Sequence, residues 1–357
     1  MLKHTTERAT ICVVLPSWVG DACLATPTLR ALRQAFPDAE LVGIMRPIIR
    51  ELLDGAWGDT PAWLDDYVLF SKKAQVGNSS RWGLIRQLRR RRPAAVILLT
   101  NSLWSAAVAR WAGAKRVVGY DRDARGWLLT DRLPVPRVGK TLQPISPIDY
   151  YLQLAARLGA DIGDRSMQLS VSENDRQLGE QLWSQVGFSA EVPTVVINCG
   201  SATLATRLWP VAKVHELARQ IVDQHGWQVL LHCGPAEREA MNQIASHLAD
   251  SRIASMGIMP QLPMGLSRSV LHRAAAVVST DSGPRHMAVA LNRPVVSLFG
   301  STDATWTRTY NIPEIEISED LECRPCYKSP CPLVHHRCMQ DISVSRVLQA
   351  VKACVQG

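Results

Sequence analysis

Short apolar segments alternate with helical patterns through the second half of this chain, between residues 194 and 299. The segments are rich in valine, isoleucine and leucine, and each is followed by apolar residues at helical spacing. Because neighbouring parallel strands need a crossover connection, this alternation predicts a parallel sheet wound with helices. The predicted strands are Thr194–Asn198, Gln228–Leu231, Arg252–Ser255, Ala276–Val278 and Val295–Phe299, and the predicted helices are Pro210–His225, Ala236–Leu248, Leu266–Ala275 and Pro284–Ala290.

The first half opens in the same way, with an apolar run at Ile11–Leu15, a turn and a helical pattern that continues to Phe36. A length of 357 residues suffices for two or three domains. We therefore predict two α/β domains, residues 1–175 and 176–357, whose connection lies within residues 160–190. The other elements predicted in the first half are strands Glu40–Met45, Ala94–Leu99 and Arg116–Gly119 and helices Leu103–Ala112 and Ile148–Leu158.

Positive charge is concentrated in the first half. Residues 1–150 carry 22 Lys and Arg against 13 Asp and Glu, a balance of +9, and residues 151–357 carry 18 against 19, a balance of −1. A one-sided positive field attracts an anionic partner such as a nucleic acid, an anionic lipid or an acidic glycan. The densest basic run, Arg86 and Arg89–Arg92, ends a predicted helix before Pro93. Its cations equally suit a solvated helix end, where they face the negative end of the dipole.

No segment approaches the roughly 20 consecutive apolar residues that span a bilayer. The N-terminus, Met1–Arg8, is too polar to hold the apolar core of an export signal. We therefore expect a cytoplasmic protein whose nine cysteines are reduced thiols.

Four of these cysteines are clustered near the C-terminus, at Cys323, Cys326, Cys331 and Cys338. A Cys-x2-Cys pair followed by two more thiolates can close a tetrahedral structural site for zinc or iron. Free thiols that hold a surface loop are the alternative.

The segment Ser279–Ala288 has the composition of a strand end, a tight turn and a first helical turn. Asp281, Ser282 and Gly283 supply capping and turn chemistry, and the following proline needs no N–H in the first turn of a helix. The free donors and the positive end of this helix suit a phosphate, and we expect Asp281, Ser282, Gly283 and His286 to contact the phosphates of a ligand. The alternative is an ordinary capped helix with a surface histidine.

Two other loops follow strands of the same predicted sheet. Gly200, Ser201 and Thr203 offer donors to a diphosphate, whose charge Arg207 offsets just before the next helix. Glu237, in the loop after the next strand, can hold ribose hydroxyls. The alternatives are an ordinary strand-to-helix loop and a glutamate placed by the helix dipole. Ligands of open α/β sheets bind at this edge, beyond the carboxyl ends of the strands.

In the first half, Asp21 ends the turn Pro16–Asp21 at a predicted helix start. The helix dipole keeps such a carboxylate ionised, so it can accept a proton from a hydroxyl. A helix-capping aspartate is the alternative.

These motifs resemble those of the lipopolysaccharide heptosyltransferases, glycosyltransferase family 9. The resemblance rests on Pro16–Asp21, which is most similar to the type II enzymes, on Arg207-x-Trp209-Pro210 and on Thr280–His286. It implies a GT-B fold, in which two Rossmann-like domains face a central cleft. It also implies an ADP-heptose donor on the C-terminal domain and a lipid A-linked inner-core acceptor on the N-terminal domain.

The resemblance further implies inverting sugar transfer without a metal cofactor, with Asp21 as catalytic base. Arg207 occupies the family's usual lysine position and neutralises the diphosphate. Arg285 stands where the family often has an apolar residue, and either contacts phosphate or faces water. The expected acceptor is heptosyl-Kdo-lipid A, at the inner face of the inner membrane.

Other functions remain open from the sequence. A family 9 enzyme can act on another acceptor, as a type I heptosyltransferase or on a protein hydroxyl. A non-catalytic nucleotide-sugar-binding or nucleic-acid-binding protein is the alternative of another class. Aromatic residues for base stacking are sparse among the basic residues, so we expect no nucleic-acid partner.

Overall fold

The computed structural model describes residues 8–55, 62–70, 81–198, 207–310 and 314–357, and the chain divides into two units between Met167 and Gln168. The sequence prediction puts this division at residue 175. Residues 168–175 belong to the second unit, because the Leu169 N–H donates to the Ala290 carbonyl at 2.7 Å. In addition, Asp175 forms an ion pair with Arg268 at 2.7 Å.

The first unit is built on a parallel sheet of six strands in the order β3-β2-β1-β4-β5-β6. The central strands are buried on both faces and are therefore continuously apolar in sequence. The strands are β1 (Thr10–Val14), β2 (Glu40–Met45), β3 (Asp66–Leu69), β4 (Ala95–Leu98), β5 (Arg116–Tyr120) and β6 (Asp131–Leu133), and a small antiparallel hairpin pairs β7 (Arg137–Val138) with β8 (Thr141–Leu142). The helices are α1 (Val19–Leu24), α2 (Thr26–Ala35), α3 (Pro47–Leu53), α4 (Arg81–Arg91), α5 (Leu103–Trp111) and α6 (Pro147–Ala156), with a short 3-10 helix at Gly126–Leu128.

The second unit repeats this architecture with the order β11-β10-β9-β12-β13-β14. Its strands are β9 (Thr194–Asn198), β10 (Gln228–Leu231), β11 (Ile253–Ser255), β12 (Ala276–Thr280), β13 (Val295–Phe299) and β14 (Glu314–Ser318). Its helices are α7 (Glu173–Val186), α8 (Val211–His225), α9 (Arg238–Leu248), α10 (Met264–Arg273), α11 (Gly283–Ala290), α12 (Arg337–Gln340) and α13 (Val344–Gln356), with 3-10 turns at Met256–Ile258 and Ala304–Thr307.

Helices α7 and α10 pack closely through a buried ion pair and small residues. Arg268 donates from Nε at 2.9 Å and Nη2 at 2.7 Å to Oδ2 of Asp175, and both side chains are buried. Asp175 also completes a capping box with Ser172 at the start of α7. A Cβ on Gly179 would lie 2.1 Å from the Ser269 hydroxyl, so the helix approach requires glycine there.

The predicted fold class, α/β with parallel doubly wound sheets, is confirmed. Both sheets have the same strand order, and in each the order reverses beside the first strand, between β1 and β4 and between β9 and β12. Loops at the carboxyl ends of these strands lie at the position where doubly wound sheets bind ligands. Within the described residues, no helix combines the length and apolarity needed to cross a membrane.

Candidate functional site

Arg207 and the start of α11 meet at the carboxyl edge of the second sheet. Arg207 Nη1 donates to the main-chain oxygen of Asp281 at 2.6 Å and lies 3.6 Å from its carboxylate. Ser282 and Gly283 follow directly, and His286 is one turn along α11. The structure thus brings five predicted site residues together at the switch between β9 and β12.

Ser282 occupies the N-cap position of α11, but its side chain does not cap the helix. Its hydroxyl donates to the Thr280 carbonyl at 3.1 Å and accepts from Asn198 Nδ2 at 3.1 Å. The predicted capping role is therefore wrong for this side chain, because neighbouring strand ends engage its hydroxyl. The N-terminus of α11 keeps its positive end for an anion instead.

Asp281 is buried and held by several donors. Thr302 donates to Oδ2 at 2.9 Å and Thr307 to Oδ1 at 3.4 Å. The carboxylate also stands 3.5 Å from Arg285 Nη1, in addition to its contact with Arg207. A carboxylate enclosed in this way orients cations, and it would repel a diphosphate if it faced one.

Arg285 is completely buried, so the expectation that it faces water is wrong, and its contact with phosphate stays a prediction. Its Nε lies 3.1 Å from the Ser297 hydroxyl and 2.5 Å from Glu314 Oε1. Although burial alone raises the pKa of Glu314, the Arg285 charge and hydrogen bonds lower it below the ordinary 4.5. This tertiary partner, on the edge strand β14, explains why a cation is tolerated inside the core.

His286 is buried, which excludes the alternative of a surface histidine. Burial, followed by the nearby Arg285 charge, lowers the pKa of His286 to about 4. The imidazole is therefore neutral at pH 7, and its Nδ1 has no hydrogen-bond partner within the described part of the chain. A buried nitrogen of this kind normally pairs with a ligand or a water molecule.

A hydrogen-bonded chain under this site was missed by sequence reasoning. His232, after β10, contacts Asn198 Oδ1 through Nδ1 at 3.0 Å and the Ser267 hydroxyl through Nε2 at 3.1 Å. Asn198, at the end of β9, donates to Ser279 at 3.3 Å as well as to Ser282. Burial lowers the pKa of His232 to about 4, so its imidazole is neutral at pH 7. The one indication of this chain in the sequence is a polar residue at the end of each apolar strand.

Other predicted donor-site residues have different outcomes. Glu237 precedes α9, and its Oε2 accepts from the Gly234 N–H at 2.9 Å, which closes the turn after β10. Its contact with a ribose stays a prediction. Gly200, Ser201 and Thr203 lie outside the described residues.

In the first unit, Asp21 lies in the first turn of α1 at the carboxyl edge of the sheet. Trp18 is the N-cap residue, so Asp21 is not the capping aspartate. Burial, and next the charge of Asp21, raise the pKa of Tyr151 well above its ordinary value. Tyr151, on α6, is therefore a protonated neighbour of the Asp21 carboxylate at neutral pH.

A buried cation of the first unit, Arg125, lies at the same edge and was not predicted as a site residue. It donates to the Thr100 and Tyr120 carbonyls at 2.5 Å and 3.1 Å and to Asn101 Oδ1 at 2.9 Å. The Tyr150 hydroxyl also donates to Asn101, at 3.2 Å. Burial lowers the pKa of Arg125 below its usual value. These contacts fix the ends of β4 and β5 beside the reversal point of the first sheet.

The four C-terminal cysteines are free thiols. Cys338 is buried, and its pKa is raised first by burial and further by Cys326, Cys331 and Cys323, so each of these three lies in the neighbourhood of Cys338. Across the described ranges, however, no group of three or more His, Cys, Asp or Glu side chains is arranged to hold a metal ion. The structural zinc or iron site stays a prediction.

Comparisons with known proteins agree with this arrangement. The profile of glycosyltransferase family 9 (heptosyltransferase) matches residues 81–336. Lipopolysaccharide heptosyltransferase 2 of Escherichia coli K12 is 28% identical over 352 residues, covering 96% of this chain and 97% of that protein. Lipopolysaccharide heptosyltransferase 1 of Pseudomonas aeruginosa is 26% identical, covering 90% of this chain and 87% of that protein.

Among solved structures, that of E. coli ADP-heptose lipopolysaccharide heptosyltransferase II aligns with a TM-score of 0.76 and 25% identity. The alignment covers 97% of this chain and 98% of that one. The predicted GT-B class of two Rossmann-like domains is confirmed, as is the resemblance that suggested it.

Proposed function

The chain belongs to glycosyltransferase family 9 (heptosyltransferase), and on this basis we propose that it transfers heptose from ADP-heptose to the inner core of lipopolysaccharide. One observation carries the proposal: the N-terminus of α11 is not capped by Ser282 and lies beside the Arg207 cation. A diphosphate needs this combination of backbone donors and positive charge. Glycosyl transfer is the established chemistry of the family, and the heptose donor and the acceptor are the proposed parts.

The donor diphosphate would lie against Arg207 and the first turn of α11. Asp281 acts as a positioning residue, since it holds Arg207 through its main-chain oxygen and faces it with its carboxylate. Neutral His286 offers its unpartnered Nδ1 to a donor oxygen. Gly200, Ser201 and Thr203 would add donors, and Glu237 would hold the ribose.

The proposed reaction is a single displacement with inversion at the anomeric carbon. Asp21 takes the proton of the acceptor hydroxyl as its oxygen forms the new glycosidic bond, and the bond to the diphosphate breaks to release ADP. Arg207 and the end of α11 stabilise the charge that grows on the leaving group, so the scheme contains no metal step.

The acceptor would bind the basic first unit. Phosphate and Kdo groups of heptosyl-Kdo-lipid A match its balance of +9 over residues 1–150, from 22 basic against 13 acidic side chains. Transfer would take place in the cytoplasm, at the inner face of the inner membrane. We favour the type II acceptor because the opening motif Pro16–Asp21 resembles that of the type II enzymes.

The test is mass spectrometry of defined Kdo-lipid A and heptosyl-Kdo-lipid A after incubation with ADP-heptose, with and without a metal chelator. We expect one heptose to be added to the heptosylated acceptor only, and chelation to leave the rate unchanged. Addition to Kdo-lipid A instead would identify a type I enzyme. ADP-heptose binding without ADP release on any acceptor would favour a non-catalytic binding protein.

The base is tested separately with Asp21→Asn, which keeps the size of the side chain. Turnover should fall by at least ~10²-fold, because general-base catalysis typically contributes 10²–10⁴. Donor affinity should stay within about twofold, since Asp21 is outside the donor-binding unit. Loss of donor binding with intact turnover on saturating donor would contradict the assignment, and Asp54→Asn, an exposed aspartate after α3, is the matched control.

A further inference from the structure

Two tryptophans on neighbouring helices of the first unit are stacked in solvent. Trp82 on α4 is 75% exposed and Trp111 at the end of α5 is 53% exposed. Their ring centroids are 6.5 Å apart at an interplanar angle of 16°. Large aromatic rings dominate contact energetics when they are buried, so a stacked pair left open to water marks a surface with a partner.

Exposed arginines surround this pair. Arg86 and Arg89 follow Trp82 at spacings of four and seven residues, which places all three on one side of α4. Arg89 Nη2 donates to the Trp111 carbonyl at 2.7 Å and so joins α4 to the end of α5. Arg90 on α4 and Arg110 on α5 are also exposed.

Neither helix contains an acidic side chain. Of the α4 arginines, the ion pairs found among the described residues involve only Arg91, which contacts Glu40 and Asp66. The remaining cations therefore project a positive field around an aromatic centre. Leu84 and Leu88 pack α4 into the core of the unit, so this field has a rigid support.

We propose that this surface, the Trp–Arg face formed by Trp82, Arg86, Arg89, Arg90, Arg110 and Trp111, docks on an anionic phospholipid bilayer. Indole rings prefer the headgroup region, where one part of the ring is apolar and another wet. Each arginine near an anionic surface adds attraction that falls off within a Debye length. A nucleic acid would use the cations but needs aromatics spaced for single bases, and these rings stack on each other instead.

The inference rests on the proposed function in one respect: a lipid-linked acceptor lies in a membrane, so an enzyme that uses it has to bind at the membrane surface. It is tested without donor or acceptor, by sedimentation of the full chain with vesicles of phosphatidylcholine that contain about one-third phosphatidylglycerol. The wild-type protein should bind these vesicles and not pure phosphatidylcholine. Binding should weaken at least tenfold between about 0.05 M and about 0.5 M salt, because the Debye length shrinks from roughly 14 Å to 4 Å.

Two double variants separate the contributions. Arg86→Glu with Arg90→Glu should weaken binding at least about 30-fold, since each arginine contributes about fivefold and each replacement adds repulsion. Trp82→Ala with Trp111→Ala should weaken it roughly tenfold and leave its salt dependence unchanged, because only apolar area is lost. Brominated lipids should quench wild-type tryptophan fluorescence and quench it less in the tryptophan variant.

Matched controls are available on other surfaces. Trp127→Ala removes a 71% exposed ring from the short 3-10 helix after β5, and Arg219→Glu with Lys352→Glu reverses two exposed charges on α8 and α13. Both controls should bind vesicles as the wild type does. Unchanged thermal unfolding and ADP binding in all variants would show that the fold is retained.

The proposal is overturned if the wild-type protein does not distinguish the two lipids, or if the controls lose binding as much as the Trp–Arg face variants. It is also overturned if the tryptophans mediate self-association, seen as a concentration-dependent dimer that Trp82→Ala with Trp111→Ala dissociates. A chain that binds anionic vesicles but transfers no heptose would leave this inference standing and remove the proposed function. A chain that transfers heptose but does not bind anionic vesicles would remove this inference and leave the proposed function standing.

Discussion

Replacing Glu314 by glutamine should destabilise the second unit and weaken its donor site together. Glu314 is the nearest carboxylate to Arg285, at 2.5 Å from Nε, and Arg285 is completely buried. Glutamine keeps the shape and an acceptor oxygen but removes the charge. Arg285 is then left with Asp281, whose carboxylate is 3.5 Å away.

Two estimates of the magnitude agree. Unit charges about 4 Å apart interact by about 4 kcal/mol at an effective dielectric constant of about 20. Removing one partner of a buried pair typically costs about 3–5 kcal/mol. Because Asp281 still faces Arg285, we expect about 3 kcal/mol, or a fall in melting temperature of roughly 6–12 °C for a unit of this size.

Urea denaturation followed by tryptophan fluorescence measures this loss, and the pH dependence identifies its cause. The pKa of Glu314 is lowered in the folded protein, so the pair contributes fully above the ordinary value of 4.5. That contribution is lost as the pH falls through the folded pKa. The difference in stability between wild type and Glu314→Gln should therefore be constant from pH 8 to about pH 5 and shrink at lower pH.

The double variant Arg285→Met with Glu314→Leu is the control, because a packed apolar pair should recover most of the stability. It should not recover ADP affinity if Arg285 helps Asp281 to orient Arg207. A loss below about 1 kcal/mol for Glu314→Gln, or a loss that does not depend on pH, would refute the reasoning.

Three further outcomes are expected. Arg207→Lys should weaken ADP binding roughly 10- to 150-fold by calorimetry, because one nitrogen replaces a fork and a charge-assisted hydrogen bond is worth about 1.5–3 kcal/mol. Arg268→Met should destabilise the second unit by about 3–5 kcal/mol in urea, since it leaves Asp175 buried without its cation; an unchanged midpoint would contradict the buried pair. Gly179→Ala should destabilise by about 1–3 kcal/mol in thermal unfolding because its Cβ meets Ser269, and Ser269→Ala should restore part of the loss.

Elements with strong local patterns were predicted closely. The strand predictions Glu40–Met45, Thr194–Asn198, Gln228–Leu231 and Val295–Phe299 agree with β2, β9, β10 and β13 residue for residue. These strands are buried on both faces, so continuous apolar sequence is sufficient to identify them. The edge strands β3, β6 and β14 and the helices α3, α7 and α13 were not predicted. Edge strands carry polar residues among apolar ones, and their pairing depends on a neighbour that is distant in sequence.

In the candidate site, too, local patterns identified some residues, whereas contacts with distant residues were not predictable. The turn before α11 identified Asp281, Ser282 and Gly283 as neighbours of a helix start, and the structure places Arg207, predicted on another loop, in contact with Asp281. The sequence did not reveal which polar groups would be enclosed. His286 lies in the buried interior, whereas the sequence left open a ligand-contacting and a surface histidine.

The sequence by itself determined the strand–helix alternation, the family and the positions of the loops that follow each strand, because these depend on local apolar periodicity and short motifs. Only the tertiary structure decided that Arg285 is neutralised by Glu314 and that the Ser282 hydroxyl turns away from α11. Those contacts join residues from elements that are distant in sequence, with Arg285 on α11 and Glu314 on β14, and with Ser282 beside the ends of β9 and β12. Burial and charge pairing arise from these tertiary contacts, and no local sequence pattern encodes them.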